Sequence, residues 1–208
     1  MAGRVIVSRA RREVEVRSLT RWRMRCLGPY TDRKGKVNVS REKTVSFYSR
    51  TPEQTTAMGS ELVRAWWASG SESTLVLNLN GPLGAGKTAF VKGMAVGLGL
   101  PADLVSSPTF VLANQYAGHE GIWLHHVDFY RIEEVSELEE IGLYDMMEPG
   151  VVLAVEWGER FREALPSERI DLTLSRDGQG FRRFEAKASA GWPQRLLSSW
   201  ASRVEGSR

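Results

Sequence analysis

The chain has 208 residues and a mass of 23.3 kDa, which suits one domain with a small extension. Hydrophobic residues at 42% and charged residues at 25% match globular proteins, so collagen, coiled-coil and wholly disordered classes are excluded. No apolar run approaches the roughly 20 residues of a membrane-spanning helix, and no N-terminal stretch resembles a signal peptide. The single cysteine, Cys26, excludes an internal disulfide and fits a reducing compartment, so we expect a cytoplasmic protein without a membrane contact.

The charge divides the chain into two parts. Residues 1–42 hold 12 basic and 4 acidic residues, a net charge of +8, whereas residues 43–208 hold 16 basic and 21 acidic residues, a net charge of −5. No helical apolar stripe accompanies the arginines of the first part, so we predict a basic, disordered N-terminal extension over residues 1–42. Two interpretations of it stay open: attachment to RNA phosphates without sequence specificity, or a solubilising, poorly constrained extension that follows from a start codon placed too early.

Alternating helices and strands are predicted beyond the basic extension. Thr51, Pro52 and Gln54 form an N-cap, a first-turn proline and a capping-box partner, which predict a helix that ends near Gly70. The β-branched and leucine run at residues 74–79 predicts a strand. This strand leads into a glycine-rich loop, and apolar residues at helical spacing then predict a second helix.

The second half of the chain alternates in the same way. One hairpin is predicted at residues 110–116 with 122–129, and a second at residues 170–174 with 184–187. Between them, an acidic helix is predicted at residues 133–140 and a buried strand at residues 151–155. The sum is an α/β domain over residues 43–190 with a mixed parallel and antiparallel sheet. A C-terminal helical tail is predicted over residues 191–208.

Residues 81–88, GPLGAGKT, match the pattern G-x-x-x-x-G-K-[ST] of a phosphate-binding loop between a predicted strand and a predicted helix. In such a loop the backbone amides surround phosphates, the lysine reaches the β- and γ-phosphates, and the hydroxyl binds Mg²⁺. We therefore predict a single phosphate-loop NTPase-type domain. The expected nucleotide contacts are Gly81, Gly84, Ala85, Gly86, Lys87, Thr88 and Ala89. The alternative is a plain glycine-rich turn.

Phosphoryl transfer needs further groups besides the loop. Glu156 ends the predicted buried strand and is placed like the carboxylate that helps to hold Mg²⁺; an ordinary surface glutamate at a strand end is the alternative. In residues 125–131, HHVDFYR, alternation puts His126, Asp128 and Tyr130 on one face of a strand. A zinc site at these histidines would need a third converging ligand, which the sequence does not offer.

A further candidate is the segment SSPTF at residues 106–110. It follows the phosphate-loop helix, where a switch that senses the γ-phosphate would lie, and it contains Thr109. An ordinary Ser-Pro-Thr turn is the alternative.

Five motifs follow one another along the chain: GPLGAGKT at 81–88, SPTF at 107–110, HVDFYR at 126–131, ELEEIG at 137–142 and VEWGE at 155–159. Their order and approximate spacing resemble the bacterial TsaE (YjeE) family of ATPases, from about residue 43 to the second hairpin. The resemblance implies a small ATPase with ATP and Mg²⁺, required for threonylcarbamoyl modification of adenosine 37 in tRNA. It also implies TsaB and TsaD partner proteins, with TsaD carrying the transfer chemistry and tRNA met only through the complex.

The resemblance further implies roles for individual residues. They are Lys87 and Asp128 for catalysis, Thr88 and Glu156 for the metal, and Thr109 and Trp157 beside the nucleotide. The chain departs from the family in two places. Pro82 stands where the loop is often acidic, which removes any role for that carboxylate, and residues 1–42 have no counterpart in the compact members of the family.

Other functions remain open on the sequence alone. A small-molecule kinase shares the loop, the size and the metal carboxylate, but such kinases close an arginine-bearing lid over the phosphates, for which Arg131 and Arg160 are isolated candidates. A nucleotide-gated binding subunit, whose partner contacts matter more than its hydrolysis rate, is a second class. An RNA-binding protein led by the basic extension is a third, although no known RNA-binding motif is present.

Overall fold

The computed structural model describes residues 42–70, 73–178, 180–188 and 191–206. The prediction of a disordered extension over residues 1–42 therefore falls, Glu42 excepted, outside the described residues. The strands are β1 (Lys43–Ser49), β2 (Leu75–Asn80), β3 (Ala113–Ala117), β4 (Trp123–Asp128), β5 (Val151–Glu156), β6 (Ile170–Arg176) and β7 (Arg182–Ala188). The α-helices are α1 (Pro52–Ala68), α2 (Lys87–Gly97), α3 (Val135–Glu140) and α4 (Trp192–Gly206). Short 3₁₀ helices cover Ala102–Leu104, His119–Gly121, Leu143–Met146 and Gly158–Ala164.

The strands form one sheet in the order β1-β7-β6-β2-β5-β4-β3. The central strands β6, β2, β5 and β4 run parallel, while β1, β7 and β3 join antiparallel at the two sides. The predicted α/β fold with a mixed sheet is confirmed. Parallel central strands place β2, β4 and β5 with their carboxyl ends at one edge of the sheet, which is where ligands bind in such folds.

Apolar side chains cover both faces of the sheet. On one face, α1, α2 and α4 bury Trp66, Phe90 and Trp200 against the strands. On the other face, α3 and the irregular segments around it bury Leu138, among others, against β4 and β5. Both faces of β5 are therefore covered, as its uninterrupted apolar sequence predicts.

Helix α4 differs from the helical tail that the sequence predicts. Its Leu196, Leu197 and Trp200 are buried in the same core as α1, and the Trp200 indole donates a hydrogen bond to the Met58 carbonyl oxygen over 2.9 Å. The helix is thus part of the folded core rather than an appendage to it. Across the described ranges, no helix combines the length and the apolar character needed to cross a membrane.

The first hairpin begins later than predicted. Strand β3 starts at Ala113, not at Phe110, because residues 108–112 form a tight turn in which the Val111 and Leu112 amides both donate to the Pro108 carbonyl oxygen, over 3.0 and 2.7 Å. Leu112 lies in the left-handed region at φ 65°. A proline and its neighbours therefore override the strand propensity of the phenylalanine and valine. The second predicted hairpin is present as β6 and β7.

His125, on β4, gives the fold a pH dependence. Burial lowers the pKa of this imidazole from 6.5 to about 4, and its Nδ1 has no hydrogen-bond partner in the described residues. Between pH 6.5 and about pH 4, the unfolded chain therefore binds a proton at His125 that the folded chain does not bind. The free energy of unfolding is highest above pH 6.5 and decreases as the pH falls through this window. We expect the free energy of unfolding to drop by about 2 kcal/mol between about pH 7.5 and about pH 5.

Urea unfolding at the two pH values measures this loss. His125→Gln should remove most of the pH dependence, whereas His119→Gln, at an exposed histidine, should keep it. If the free energy of unfolding changed with pH equally in the two variants, groups other than His125 would cause the pH dependence.

Candidate functional site

The predicted phosphate loop connects the end of β2 to the start of α2. Gly81 has φ 136°, and a Cβ there would collide with the carbonyl oxygen of Leu174 on β6. Gly86 has φ 108°, which other residues rarely adopt, and immediately precedes the helix. The first and last glycines of the pattern are therefore required by backbone geometry, as in a loop that turns its amides towards an anion. Within the loop, the buried Ala85 donates its amide to the Pro82 carbonyl oxygen over 3.1 Å.

Lys87, at the first position of α2, turns its side chain back across the loop. Its Nζ donates to the Gly81 carbonyl oxygen over 2.9 Å and to that of Pro82 over 3.3 Å. The same nitrogen lies 3.8 Å from Glu156 Oε2 and 4.4 Å from the centre of the Trp157 ring. Only 5% of this lysine is exposed. A buried ammonium group is thus fixed at the mouth of the loop, where it can meet phosphate oxygens.

Glu156 is the last residue of β5, and its side chain contacts both the phosphate loop and the neighbouring strand β4. The Thr88 hydroxyl donates to its Oε1 over 3.0 Å, and His126 Nε2 lies 3.0 Å from the same oxygen. Burial acts to raise the pKa of Glu156, but its interaction with His126, the charge of Lys87 and the hydrogen bond from Thr88 together hold that pKa below its ordinary value. The carboxylate is therefore ionised at neutral pH, and the interpretation as a surface glutamate is excluded by its burial.

The pair of Thr88 and Glu156 fits a hard divalent cation. A hydroxyl oxygen and an ionised carboxylate oxygen lie within 3.0 Å of each other beside the loop, and Mg²⁺ prefers such oxygens together with substrate phosphates. In the described ranges, no group of three His, Cys, Asp or Glu side chains is arranged to hold a metal. A cation here would thus depend on oxygens of the bound ligand and of water, which is typical of Mg²⁺.

Asp128 ends β4 directly beside Glu156 in the parallel register, so the two carboxylates share one face of the sheet. The Thr109 hydroxyl donates to Asp128 Oδ2 over 2.8 Å, and the Tyr130 amide donates to Oδ1 over 2.9 Å. The side chain is 2% exposed. Thr109, in the segment predicted as a switch, is therefore in direct contact with the predicted catalytic carboxylate.

Trp157 follows Glu156 in a left-handed conformation, at φ 61°. Its amide donates to the Leu79 carbonyl oxygen over 3.1 Å, and the centre of its ring lies 4.4 Å from Lys87 Nζ and 5.3 Å from the centre of the Tyr130 ring. This backbone conformation is costly for an aromatic residue, and such strain concentrates at functional sites. The structure thus places the Trp157 ring beside Lys87 of the loop.

The sequence does not predict a second group of residues, which line a cavity or contact the loop. A cavity of about 440 Å³ is lined by Tyr48, Arg50, Gln54 and Phe181. At the loop itself, the Thr56 hydroxyl donates to the carbonyl oxygen of Ala89 over 3.3 Å, and Arg176 of β6 donates to that of Gly84 over 3.1 Å. These residues come from the region of β1, from α1 and from the second hairpin. The sequence predicts the hairpin, but it carries no signal that these segments meet.

Comparisons with known proteins identify a family to which the sequence is similar. The sequence model of the family described as "Threonylcarbamoyl adenosine biosynthesis protein TsaE" matches residues 49–184. The tRNA threonylcarbamoyladenosine biosynthesis protein TsaE of Bacillus subtilis is 39% identical over 137 residues, which cover 65% of this chain and 80% of the relative. The protein of the same name from Treponema pallidum is 39% identical over 103 residues, 50% of this chain and 74% of the relative.

A solved structure leads to the same family. The crystal structure of Bacillus subtilis YdiB superimposes with a TM-score of 0.59 at 30% sequence identity, covering 79% of this chain and 98% of that chain. The matched region contains the loop, β4 and β5, and therefore all of the residues that the sequence predicts for the site. By its sequence, its fold and the arrangement of its loop, the chain belongs to the TsaE family.

Proposed function

We propose that the protein binds ATP with Mg²⁺ and hydrolyses it in support of the threonylcarbamoyl modification of tRNA adenosine 37, together with TsaB-like and TsaD-like partners. The observation that carries the proposal is the contact of Lys87, Thr88 and Glu156 at the end of a phosphate loop in a member of the TsaE family. A lysine, a hydroxyl and an ionised carboxylate at this place are the parts that phosphate-loop ATPases use to bind nucleotide and metal.

Each of these residues has a defined task. Lys87 binds β- and γ-phosphate oxygens while it remains anchored to the loop by the Gly81 carbonyl oxygen. Thr88 and Glu156 hold Mg²⁺, which when bound neutralises charge on the phosphates. The His126 Nδ1 atom is buried without a partner in the described residues, so the geometry favours the tautomer in which Nε2–H donates to Glu156 and keeps its carboxylate in place.

Asp128 is the group proposed to act on the attacking water. As a carboxylate beside Glu156 it can accept a proton from water and orient its oxygen towards the γ-phosphate. Both of its oxygens accept hydrogen bonds from the protein, one of them from Thr109, so movement of the Thr109 segment changes how much of the carboxylate is available. This contact offers a physical basis for controlling hydrolysis.

The cavity lined by Tyr48, Arg50, Gln54 and Phe181 is suited to the nucleoside part of ATP. Its aromatic walls can stack on a purine base. The Arg50 guanidinium lies over the Phe181 ring, 5.2 Å from its centre. The hydrogen bond from the Arg50 amide to Gln54 Oε1 leaves the Gln54 amide hydrogens as donors for the base or ribose.

An exposed apolar surface beside the site supports the proposed action through partners. Phe110 and Val111 directly follow Thr109 and are 82% and 63% exposed. A partner protein that covered these two side chains would remove their apolar surface from water. A partner bound here would act on the Thr109 segment and hence on Asp128, which suits a subunit that responds to other proteins.

The arginines considered for a kinase lid are engaged elsewhere. Arg160 donates to the carbonyl oxygens of Phe129 and Tyr130, and the Arg131 guanidinium lies 4.5 Å from the centre of the Phe110 ring. Hydrolysis of ATP should therefore respond to the purified TsaB-like and TsaD-like proteins and not to small phosphoryl acceptors. Measurements of phosphate release with each addition test this; stimulation by a small acceptor, with no response to the partners, would favour the kinase.

A further inference from the structure

The hairpin of β6 and β7 contacts the phosphate loop at three successive places. Leu174 packs its carbonyl oxygen against Gly81, as described above. The Arg176 guanidinium donates to the Gly84 carbonyl oxygen over 3.1 Å. At Gly86, a Cβ atom would lie 3.1 Å from Arg182 Nε, so the arginine stem passes directly over the last glycine of the loop. Two guanidinium groups of one hairpin thus flank the loop.

The two arginines form an unusual pair. Arg176 and Arg182 lie directly opposite each other in the antiparallel register of β6 and β7, and like charges in this position destabilise a hairpin. Arg182 Nε is also buried and has no hydrogen-bond partner within the described residues. Its charge is one of the smaller causes that lower the pKa of Glu53, after hydrogen bonds from Thr51 and from the backbone. An anion between the two guanidiniums would relieve the repulsion and satisfy the buried donor.

The position of the hairpin indicates which part of a nucleotide would supply that anion. In the sheet, β6 lies on one side of β2, whereas β5 and β4, which carry Glu156 and Asp128, lie on the other. The arginines therefore approach the loop from the side away from the metal and the water. Phe181, next to Arg182, lines the cavity suited to the nucleoside. The phosphates nearest to this side are those closest to the nucleoside.

We propose that Arg176 and Arg182 are phosphate-binding residues that clamp the α- and β-phosphates of the bound nucleotide from the β6–β7 hairpin. The proposal rests on ATP being the ligand of the loop. Because α- and β-phosphates are present in ATP, in ADP and in the transition state, these contacts bind all three states equally. The arginines thus set nucleotide affinity and leave the rate constant of hydrolysis to Lys87 and Asp128.

Arg176→Met and Arg182→Met test the proposal, because methionine keeps an apolar stem against the loop and removes the charge. Arg64→Met is the matched control: Arg64 is exposed on α1 and is paired with Glu61 over 2.8 Å. Titration calorimetry with ATP and with ADP, and hydrolysis kinetics with the partners, should be performed on all three variants. Thermal melting of each variant shows whether it is folded.

Each of the two loop-facing variants should weaken ATP and ADP binding alike, by about 10-fold, with kcat changed by less than about 2-fold. The Arg64→Met control should match the wild type. Unchanged affinities in folded variants would overturn the proposal, as would a loss of kcat at constant affinity, which would make the arginines transition-state groups. If the wild-type protein binds no nucleotide, the proposed function is wrong. If the wild type binds nucleotide and the two arginine variants bind it with the same affinity, only the role of the arginines is wrong.

Discussion

Replacing Lys87 with alanine is expected to abolish productive ATP binding, with affinity lowered by about 100-fold or more. The ammonium group is the one cation that lies across the mouth of the loop in direct contact with Glu156 among the described residues. Its removal deletes charge-assisted hydrogen bonds to phosphate and leaves the Glu156 carboxylate, which is 4% exposed, without its neighbouring positive charge. Titration calorimetry with ATP and Mg²⁺ measures the loss.

Two further variants sharpen this test. Lys92→Ala removes a lysine later in the same helix and should leave affinity unchanged. Thr88→Ala should weaken binding in the presence of Mg²⁺ and have little effect in its absence, because the hydroxyl is proposed to meet the metal. Unchanged affinity in both Lys87→Ala and Thr88→Ala would exclude these residues from the nucleotide site.

Alanine substitutions of Asp128 and Glu156 are expected to have different effects on ATP binding and turnover, although the two residues lie side by side. Glu156→Ala should impair Mg²⁺-dependent binding as well as turnover, since Glu156 contacts both Thr88 and Lys87. Asp128→Ala should reduce kcat by roughly 100-fold or more while ATP affinity stays near that of the wild type, as for loss of a general base. The measurements are ATP affinity and partner-stimulated hydrolysis for each variant.

Glu163→Ala, at an exposed glutamate after β5, provides the control for a lost negative charge and should behave as the wild type. Full ATPase activity of the Asp128→Ala variant would show that Asp128 has no catalytic role. Equal losses of binding in Asp128→Ala and Glu156→Ala would instead mean that the two carboxylates act together on the metal.

The parts of the site that the sequence predicts are those encoded locally. The loop at residues 81–88 has a fixed spacing because its backbone amides and Lys87 must meet phosphates while the Thr88 hydroxyl meets the metal. Glu156 was identifiable because a strand covered on both faces reads as an apolar run, and the first polar residue after it lies at the ligand-binding edge. Alternation likewise placed His126 and Asp128 on one face of β4.

The parts that escaped prediction depend on contacts between distant segments. Arg176 meets Gly84 across 92 residues of chain, and nothing in the spacing of the arginines distinguishes them from other charged residues of a solvated hairpin. The packing of helix α4 is of the same kind, since the Trp200 indole donates to the Met58 carbonyl oxygen, 142 residues away along the chain. The turn at residues 108–112 replaced a predicted strand because two amides bond to one proline carbonyl oxygen.

The proposed role in tRNA modification is tested most directly by reconstitution. Purified TsaB-like and TsaD-like proteins, a tRNA substrate and a threonylcarbamoyl donor are incubated with ATP and Mg²⁺, and threonylcarbamoyladenosine in the tRNA is quantified by mass spectrometry. We expect repeated turnover with the wild-type protein, and at most about one product per partner complex when it is omitted or replaced by Lys87→Ala. Equal turnover in the three reactions would contradict the proposed function.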